Sequence, residues 1–258
     1  MHRFFTLQKN ISSGKIKISE RPVIHHLKDV LALKPGEEVI IFDGTGNEYR
    51  AQIEIISNKA VELKIKEKLN PNVPDKFPLT VACAIPKKSK FDDIVDKLTQ
   101  LGVDRIIPML TERVIVKLAG YKGILRKLRW EKIALNASEQ SKRKNLPLIE
   151  TPTNIKEVIA NSSNFNLKLI PTLEGRREPL KDVLSKYLPV QAKSETVPDE
   201  YCSFSIIILI GPEGDFSDEE VRLALNSGFI PVSLGKEVLR VETAAVAAAG
   251  FIRFYEND

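Results

Sequence analysis

The apolar run Ile206-Ile207-Ile208-Leu209-Ile210, broken at once by Gly211-Pro212-Glu213-Gly214, constrains this chain more than any other stretch. Five consecutive aliphatic residues without polar alternation read as a strand buried on both faces, as in a parallel sheet covered by helices. Residues 79–85 form a second such run, and from there strand-like and helix-like segments alternate to the end of the chain. That grammar argues for a parallel α/β sheet. Ligands of open α/β sheets bind beyond the carboxyl ends of the strands. Three such ends carry glycine: Thr172-Leu173-Glu174-Gly175 after Leu167–Pro171, residues 211–214 after 204–210, and Leu234-Gly235-Lys236 after 229–233. Glycine lets a ligand approach the backbone closely, so exposed N–H and C=O groups there suit a polar, neutral ring such as adenine. Neither GxGxxG nor GxxxxGK[ST] occurs, so the common dinucleotide and P-loop readings fail.

The first 70 residues follow a different rule. Residues 15–19, 48–56 and 61–65 alternate polar with apolar, and 38–42 is a further strand ending at the turn Asp43-Gly44-Thr45-Gly46-Asn47. Tyr49, Ala51, Ile53 and Ile55 are expected on one face, and a short helix over 22–31 interrupts the strands. Several short strands in so few residues suggest a small barrel. Pro71, Pro74 and Pro78 then crowd nine residues, resisting both helix and ladder. The expected organisation is a β-barrel domain over 1–70, a linker over 71–78 and an α/β domain over 79–258. Within the latter, Ser89 and Ser217 read as helix N-caps, 118–144 as a long basic helix, and 188–201 as a surface insertion.

Charge is unevenly spread. The net value is +5, yet in residues 84–144 basic residues outnumber acidic ones fifteen to seven, and the remainder of the chain to the C-terminus is acidic. A basic middle points to a polyanion such as nucleic acid, with a solvated helix face as the alternative. The three histidines all lie within the first 26 residues and the two cysteines, Cys83 and Cys202, are isolated. No metal site, disulfide framework or Ser-His-Asp triad is therefore expected. No apolar run reaches membrane-spanning length and the start carries no apolar leader, so a cytoplasmic protein without membrane contact is expected.

The segment 208–214, then Leu234-Gly235, then Leu239-Arg240-Val241-Glu242-Thr243-Ala244, resembles the C-terminal signature of SPOUT-class methyltransferases. Within that class the chain is most similar to the RsmE family, which methylates N3 of a uridine in small-subunit (16S) ribosomal RNA. The likeness runs in order along nearly the whole chain: Arg3-Phe4-Phe5, residues 26–31, residues 42–46, residues 97–103, Thr111-Glu112-Arg113, and Glu139-Gln140-Ser141 with Arg143. The resemblance implies a PUA-like RNA-binding barrel, a C-terminal α/β domain tied in a deep trefoil knot, a homodimer, and S-adenosylmethionine held by the knot loops. On this likeness Thr172, Leu173 and Glu174 form one wall of the cofactor pocket, and Ile210, Gly211, Pro212, Glu213 and Gly214 a second. Leu234, Gly235, Leu239, Arg240, Val241 and Thr243 form the third. The chain departs from the family at Ala32, where arginine is usual, at Gln100 and Asn136, where acidic residues are usual, and at Lys142 and Asp215, where glycine is usual.

Methylation of uracil N3 requires removal of a weakly acidic proton and stabilisation of negative charge spread over O2 and O4. Arg240 is the candidate for that stabilisation, because a guanidinium makes two hydrogen bonds to such an anion; the alternative is an ion pair with Glu213 or Glu242. Glu213 is read as orienting its loop rather than as a base. Arg3, Arg113, Lys117, Lys142 and Arg143 are the candidate RNA contacts. Two other readings stay open: a non-catalytic RNA-binding or ribosome-assembly protein on the same scaffold, and ribose 2′-O methylation.

Overall fold

The structure, a computed structural model, describes residues 1–69, 77–86, 90–113, 120–173, 175–188 and 204–257. The chain divides into two compact units. The first joins residues 1–74 with 138–146, and the second joins 75–137 with 147–258.

In the first unit, β1 (Arg3–Phe5), β2 (Ile11–Ser12) and β3 (Lys15–Ile18) precede α1 (Arg21–His25), which continues into one π-helical turn, His26–Val30. Then come β4 (Glu38–Phe42), β5 (Glu48–Ile56) and β6 (Val61–Lys68). The six strands form one sheet in the order β1-β4-β5-β6-β3-β2. Its core is Phe4, Ile16, Ile18, Val39, Ile41, Ala51, Ile53, Val61 and Leu63, with Ile24 and Leu27 from the helical turn. Ile55 does not join Ala51 and Ile53 on the inner face but stands exposed. The register slips between Ile53 and Ile55, and such a bulge re-aims the side chains beyond it.

The return of residues 138–146 completes this unit. Asn145 bridges to Gly44 and Thr45, and the Leu146 N–H donates to the Gly44 carbonyl at 3.0 Å. Gly44 (φ 78°) is closely overlaid: a Cβ there would lie 3.0 Å from the Leu146 side chain. The Phe5 N–H donates to a Glu139 carboxylate oxygen at 3.1 Å.

The second unit begins with β7 (Leu79–Ala84), α2 (Lys90–Gln100) and β8 (Arg105–Leu110), followed by α3 (Tyr121–Gln140), whose last three residues count with the first unit. Next are β9 (Leu148–Ile149), β10 (Thr153–Asn154), α4 (Ile155–Ala160), β11 (Leu167–Pro171), β12 (Glu178–Pro179) and α5 (Leu180–Tyr187). The chain ends with β13 (Ile206–Ile210), α6 (Asp218–Asn226), β14 (Ile230–Ser233) and α7 (Val241–Asn257). The sheet is parallel throughout, in the order β10-β8-β7-β13-β11-β14-β12, with β9 also on β8.

β13 lies at the centre and is buried on both faces, as its unbroken apolar run requires. Alternate residues feed opposite cores. Ile206, Ile208 and Ile210 meet Ile94 and Leu98 of α2, Val183 of α5 and Ala245, Ala248 and Ile252 of α7. Ile207 and Leu209 meet Val158 and Ile159 of α4, Phe216, and Ala224 of α6. Each such fully buried aliphatic side chain contributes about 1.5–3 kcal/mol. Pro108, inside β8, falls where it does no harm. Leu148 N–H donates to Asp104 O and Glu150 N–H to Ile106 O, so the backbone groups of the even-numbered residues of β8 point toward the β9 and β10 side. Pro108 therefore presents its missing donor in the gap between β9 and β10, whose pairings cover 105–106 and 109–110. Ser89, Lys117, Glu174, Cys202 and the expected insertion from residue 189 onward lie outside the described residues.

Candidate active site

The carboxyl ends of β11, β13 and β14 are adjacent because those strands are neighbours in the sheet. The loops that leave them enclose a cavity of ≈ 130 Å³. Thr172 and Leu173 line it from the first loop, Gly211, Pro212 and Glu213 from the second, and Leu234, Gly235, Leu239 and Val241 from the third. Ile210 is buried inside β13 and Gly214 faces an adjoining cavity of ≈ 560 Å³. Thr243 lies elsewhere, on the side of α7 that faces Asp93 and Ile94. Arg240 is exposed at the end of the third loop, outside the residues that line the cavity. It makes no ion pair among the described residues. Glu242 is instead bound by Lys90 at 2.7 Å, and that hydrogen bond holds its carboxyl below the usual range.

The second loop is shaped by contact with Phe216, at its far end. A Cβ on Gly211 would lie 3.0 Å from the Phe216 ring, which is why glycine stands there. Asp215 closes the turn with φ 58°, its N–H donating to the Pro212 carbonyl at 3.0 Å. Its carboxylate crosses to the first loop, Oδ2 accepting from the Leu173 N–H at 2.9 Å. Arg177 grips the same loop from the other side, donating to the Thr172 carbonyl at 2.6 Å and to the Leu173 carbonyl. Both Arg177 and Asp215 line the cavity, and neither was among the residues assigned to the pocket from sequence. The available signals were the Arg176-Arg177 pair directly after a glycine turn and the acid in a glycine position.

A fourth loop, 111–113, is fixed from α6. The buried Glu220 accepts from the Ser217 N–H at 2.9 Å and from the Glu112 N–H at 2.8 Å. Arg113 is exposed and donates to the Gly214 carbonyl at 2.5 Å. Cys83, level with Ile210 across the ladder, is no nucleophile: burial, then the charges of Glu242 and Glu213, push its thiol far up.

Within the first unit, the Arg3 side chain is only 9 % exposed. Its guanidinium stacks on Phe42, pairs with Glu48 at 2.7 Å, and donates to the Ser138 and Arg143 carbonyls at 3.0 and 2.7 Å. It is a strut that holds 138–146 to β1, not an outward cation. Lys142 is exposed and Lys144 pairs with Glu48.

The cavity's chemistry suits a nucleoside with a charged tail. It mixes apolar residues, Leu173, Pro212, Leu234 and Leu239, with charged ones of both signs, Arg177, Glu213, Asp215, Lys236 and Glu237. Its volume is below the roughly 300–1,000 Å³ of pockets that enclose their ligand. Lys236, Glu237 and Val238, all exposed, form part of its rim.

Comparison with known proteins decides which family builds this arrangement. Residues 73–253 match the family model described as an RNA methyltransferase domain, and 19–66 the one described as an RNA methyltransferase PUA domain. The ribosomal RNA small subunit methyltransferase E of Mesomycoplasma hyopneumoniae is 33% identical over 248 residues, 95% of this chain and 96% of that one. This chain belongs to the RsmE family of RNA methyltransferases. Its Synechocystis relative of the same name is 32% identical over 87% of this chain and 68% of that one. A Legionella pneumophila methyltransferase solved with bound S-adenosylmethionine aligns with a TM-score of 0.82 at 30% identity, covering 98% and 97% of the two chains. The Neisseria gonorrhoeae ribosomal RNA small subunit methyltransferase E bound to S-adenosylmethionine gives 0.81 at 28%, covering 99% and 98%. As an RsmE-family member this chain is an S-adenosylmethionine-dependent RNA methyltransferase, with a PUA-like β domain and a parallel-sheet α/β domain.

Proposed function

We propose that this chain transfers a methyl group from S-adenosylmethionine to N3 of a uridine in small-subunit ribosomal RNA, as a cytoplasmic homodimer with a knotted C-terminal domain. The observation that carries the reading is the convergence of three strand-end loops on one cavity, in a chain similar over 95% of its length to a relative named for small-subunit ribosomal RNA methylation. Bound S-adenosylmethionine supplies an electrophilic methyl group on a sulfonium leaving group. The uracil N3 proton passes to solvent water, no residue being assigned as base, and the chain's own part is to hold the reactants and to stabilise the uracil anion. Glu213, on the cavity wall, orients its loop rather than acting as a base. Arg240, exposed and free of ion pairs among the described residues, supplies the guanidinium for O2 or O4. Arg113, Lys142 and Arg143 are the proposed phosphate contacts; Lys117, in the same proposal, lies outside the described residues. Support for the dimer comes from α7, which exposes Phe251 and Phe254. The knot draws support from α7 packing back on β7 and β13 after the excursion to β14.

The test joins calorimetric titration with S-adenosylmethionine to mass-spectrometric mapping of methylated, previously undermethylated small subunits. A methyl on uridine N3 is expected; binding without turnover, or a methyl on ribose O2′, replaces the reading. Arg240→Ala is expected to lower turnover by at least about a hundredfold while cofactor affinity stays within a few-fold. Near-normal turnover in that variant removes Arg240 from the mechanism. Sedimentation equilibrium checks the dimer.

A further inference from the structure

We infer that Asp215 is a positioning residue for the cofactor wall, a carboxylate clasp joining the loops after β11 and β13; the inference rests on the cofactor reading above. On the family likeness Asp215 stands where glycine is usual, and its φ of 58° is the left-handed conformation that glycine adopts freely and aspartate tolerates. Aspartate here thus holds a backbone conformation open to glycine and adds a side chain to it. That side chain is fully used. Oδ2 accepts from the Leu173 N–H and Oδ1 from the Phe216 N–H, both at 2.9 Å.

Asp215 is not the cap of the next helix. Ser217 fills that position, with a complete capping box to Glu220. The carboxylate instead reaches to a residue 42 positions earlier in the chain. Arg177 holds the carbonyls of Thr172 and Leu173, so the peptide groups of this loop are gripped by an anion on one side and a cation on the other. Leu173 itself is 43% exposed and has little packing to hold it in place. Asp215 also lines both neighbouring cavities, so it stands in the wall they share. A charged acceptor bonded to a backbone donor roughly doubles the strength of a neutral hydrogen bond. The clasp thus fixes the Thr172–Leu173 backbone before a ligand arrives, and that preorganisation favours cofactor affinity over the chemical step.

The experiment uses full-length Asp215→Gly, which keeps the left-handed backbone, and Asp215→Asn, which keeps one acceptor oxygen. Three quantities are read: Leu173 amide exchange in the ligand-free protein, S-adenosylmethionine affinity by calorimetry, and KM and kcat on undermethylated small subunits. In Asp215→Gly, Leu173 exchange is expected to accelerate and Kd to rise about tenfold, with kcat within about threefold. Asp215→Asn is expected to recover at least half of the lost affinity on a logarithmic scale. Wild-type Kd or wild-type Leu173 exchange in Asp215→Gly overturns the inference, as does a loss confined to kcat. Wild-type protein that binds no S-adenosylmethionine overturns the cofactor reading itself, an outcome distinct from a variant that binds as well as wild type.

Discussion

At the scale of single residues, two of the five places where the sequence departs from the family pattern hold a backbone that suits the residue the pattern has there. Lys142 (φ 59°) and Asp215 (φ 58°), which stand where the family likeness has glycine, both hold a left-handed conformation. Asp215 recovers the cost through its two hydrogen bonds; for Lys142, which is exposed, the structure gives no compensating ion pair among the described residues. Lys142→Gly is therefore expected to stabilise the protein by about 1 kcal/mol, read as a shift of the urea midpoint, and a destabilised variant refutes the strain. Glu139 gives a pH-dependent counterpart. Burial pushes its carboxyl above the usual range, although it accepts from the Phe5 N–H and lies near His26 and Arg3. A carboxyl raised on folding costs stability once pH exceeds its unfolded value, because the fold then holds an unfavourable charge. Glu139→Gln keeps the acceptor for Phe5 and removes the charge. It is expected to match wild type near about pH 4 and to be more stable near about pH 7. Unfolding curves at both values check the sign. Neither position shows its conformation in sequence: a lysine or an aspartate reads as an ordinary surface residue, and only the likeness to a family with glycine there exposes the strain.

At the scale of elements, legibility followed the strength of the local signal. Glu38–Phe42, Glu48–Ile56 and Leu167–Pro171 form where the patterns place them, since period-two alternation and β-branched runs are backbone-local. The Ser217 cap was legible for the same reason, as an N-cap hydroxyl followed by acids. Ile55 was not, because a bulge depends on the partner strand and leaves no mark on its own sequence. The role of Glu220 was only half visible. A capping box explains its bond to the Ser217 N–H, but its second oxygen serves Glu112, 108 residues away in the chain. The two roles separate by mutation. Ser217→Ala is expected to cost about 1 kcal/mol, the ordinary value of a lost cap. Glu220→Ala is expected to cost about 2–3 kcal/mol, because two backbone donors lose their acceptor and one belongs to another loop. Equal losses in thermal unfolding refute the second anchor.

At the scale of the whole molecule, the glycine-bearing strand ends and the parallel sheet were readable, and the cavity lies where those ends converge. What no local pattern conveys is that residues 138–146 belong with the first 74. That grouping depends on Arg3, Phe5 and Gly44 finding partners about a hundred residues later, and Arg3 reads in sequence as a free cation at the terminus. A fragment of residues 1–74 therefore lacks two carbonyl acceptors of the Arg3 guanidinium and the Glu139 acceptor of the Phe5 N–H. It is expected to unfold at lower urea than the same unit in the full chain, and a peptide of residues 138–146 added in trans is expected to restore part of the loss. A fragment as stable alone as in the whole removes that dependence. The same return has a consequence for the order of events on a translating ribosome. The first unit's chain has left the exit tunnel long before its last segment is made, so it waits for residue 146 while most of α3 is synthesised in between. The N-terminal unit is thus finished late, not first, and a gene cut at the proline-rich segment would not yield two interchangeable cassettes.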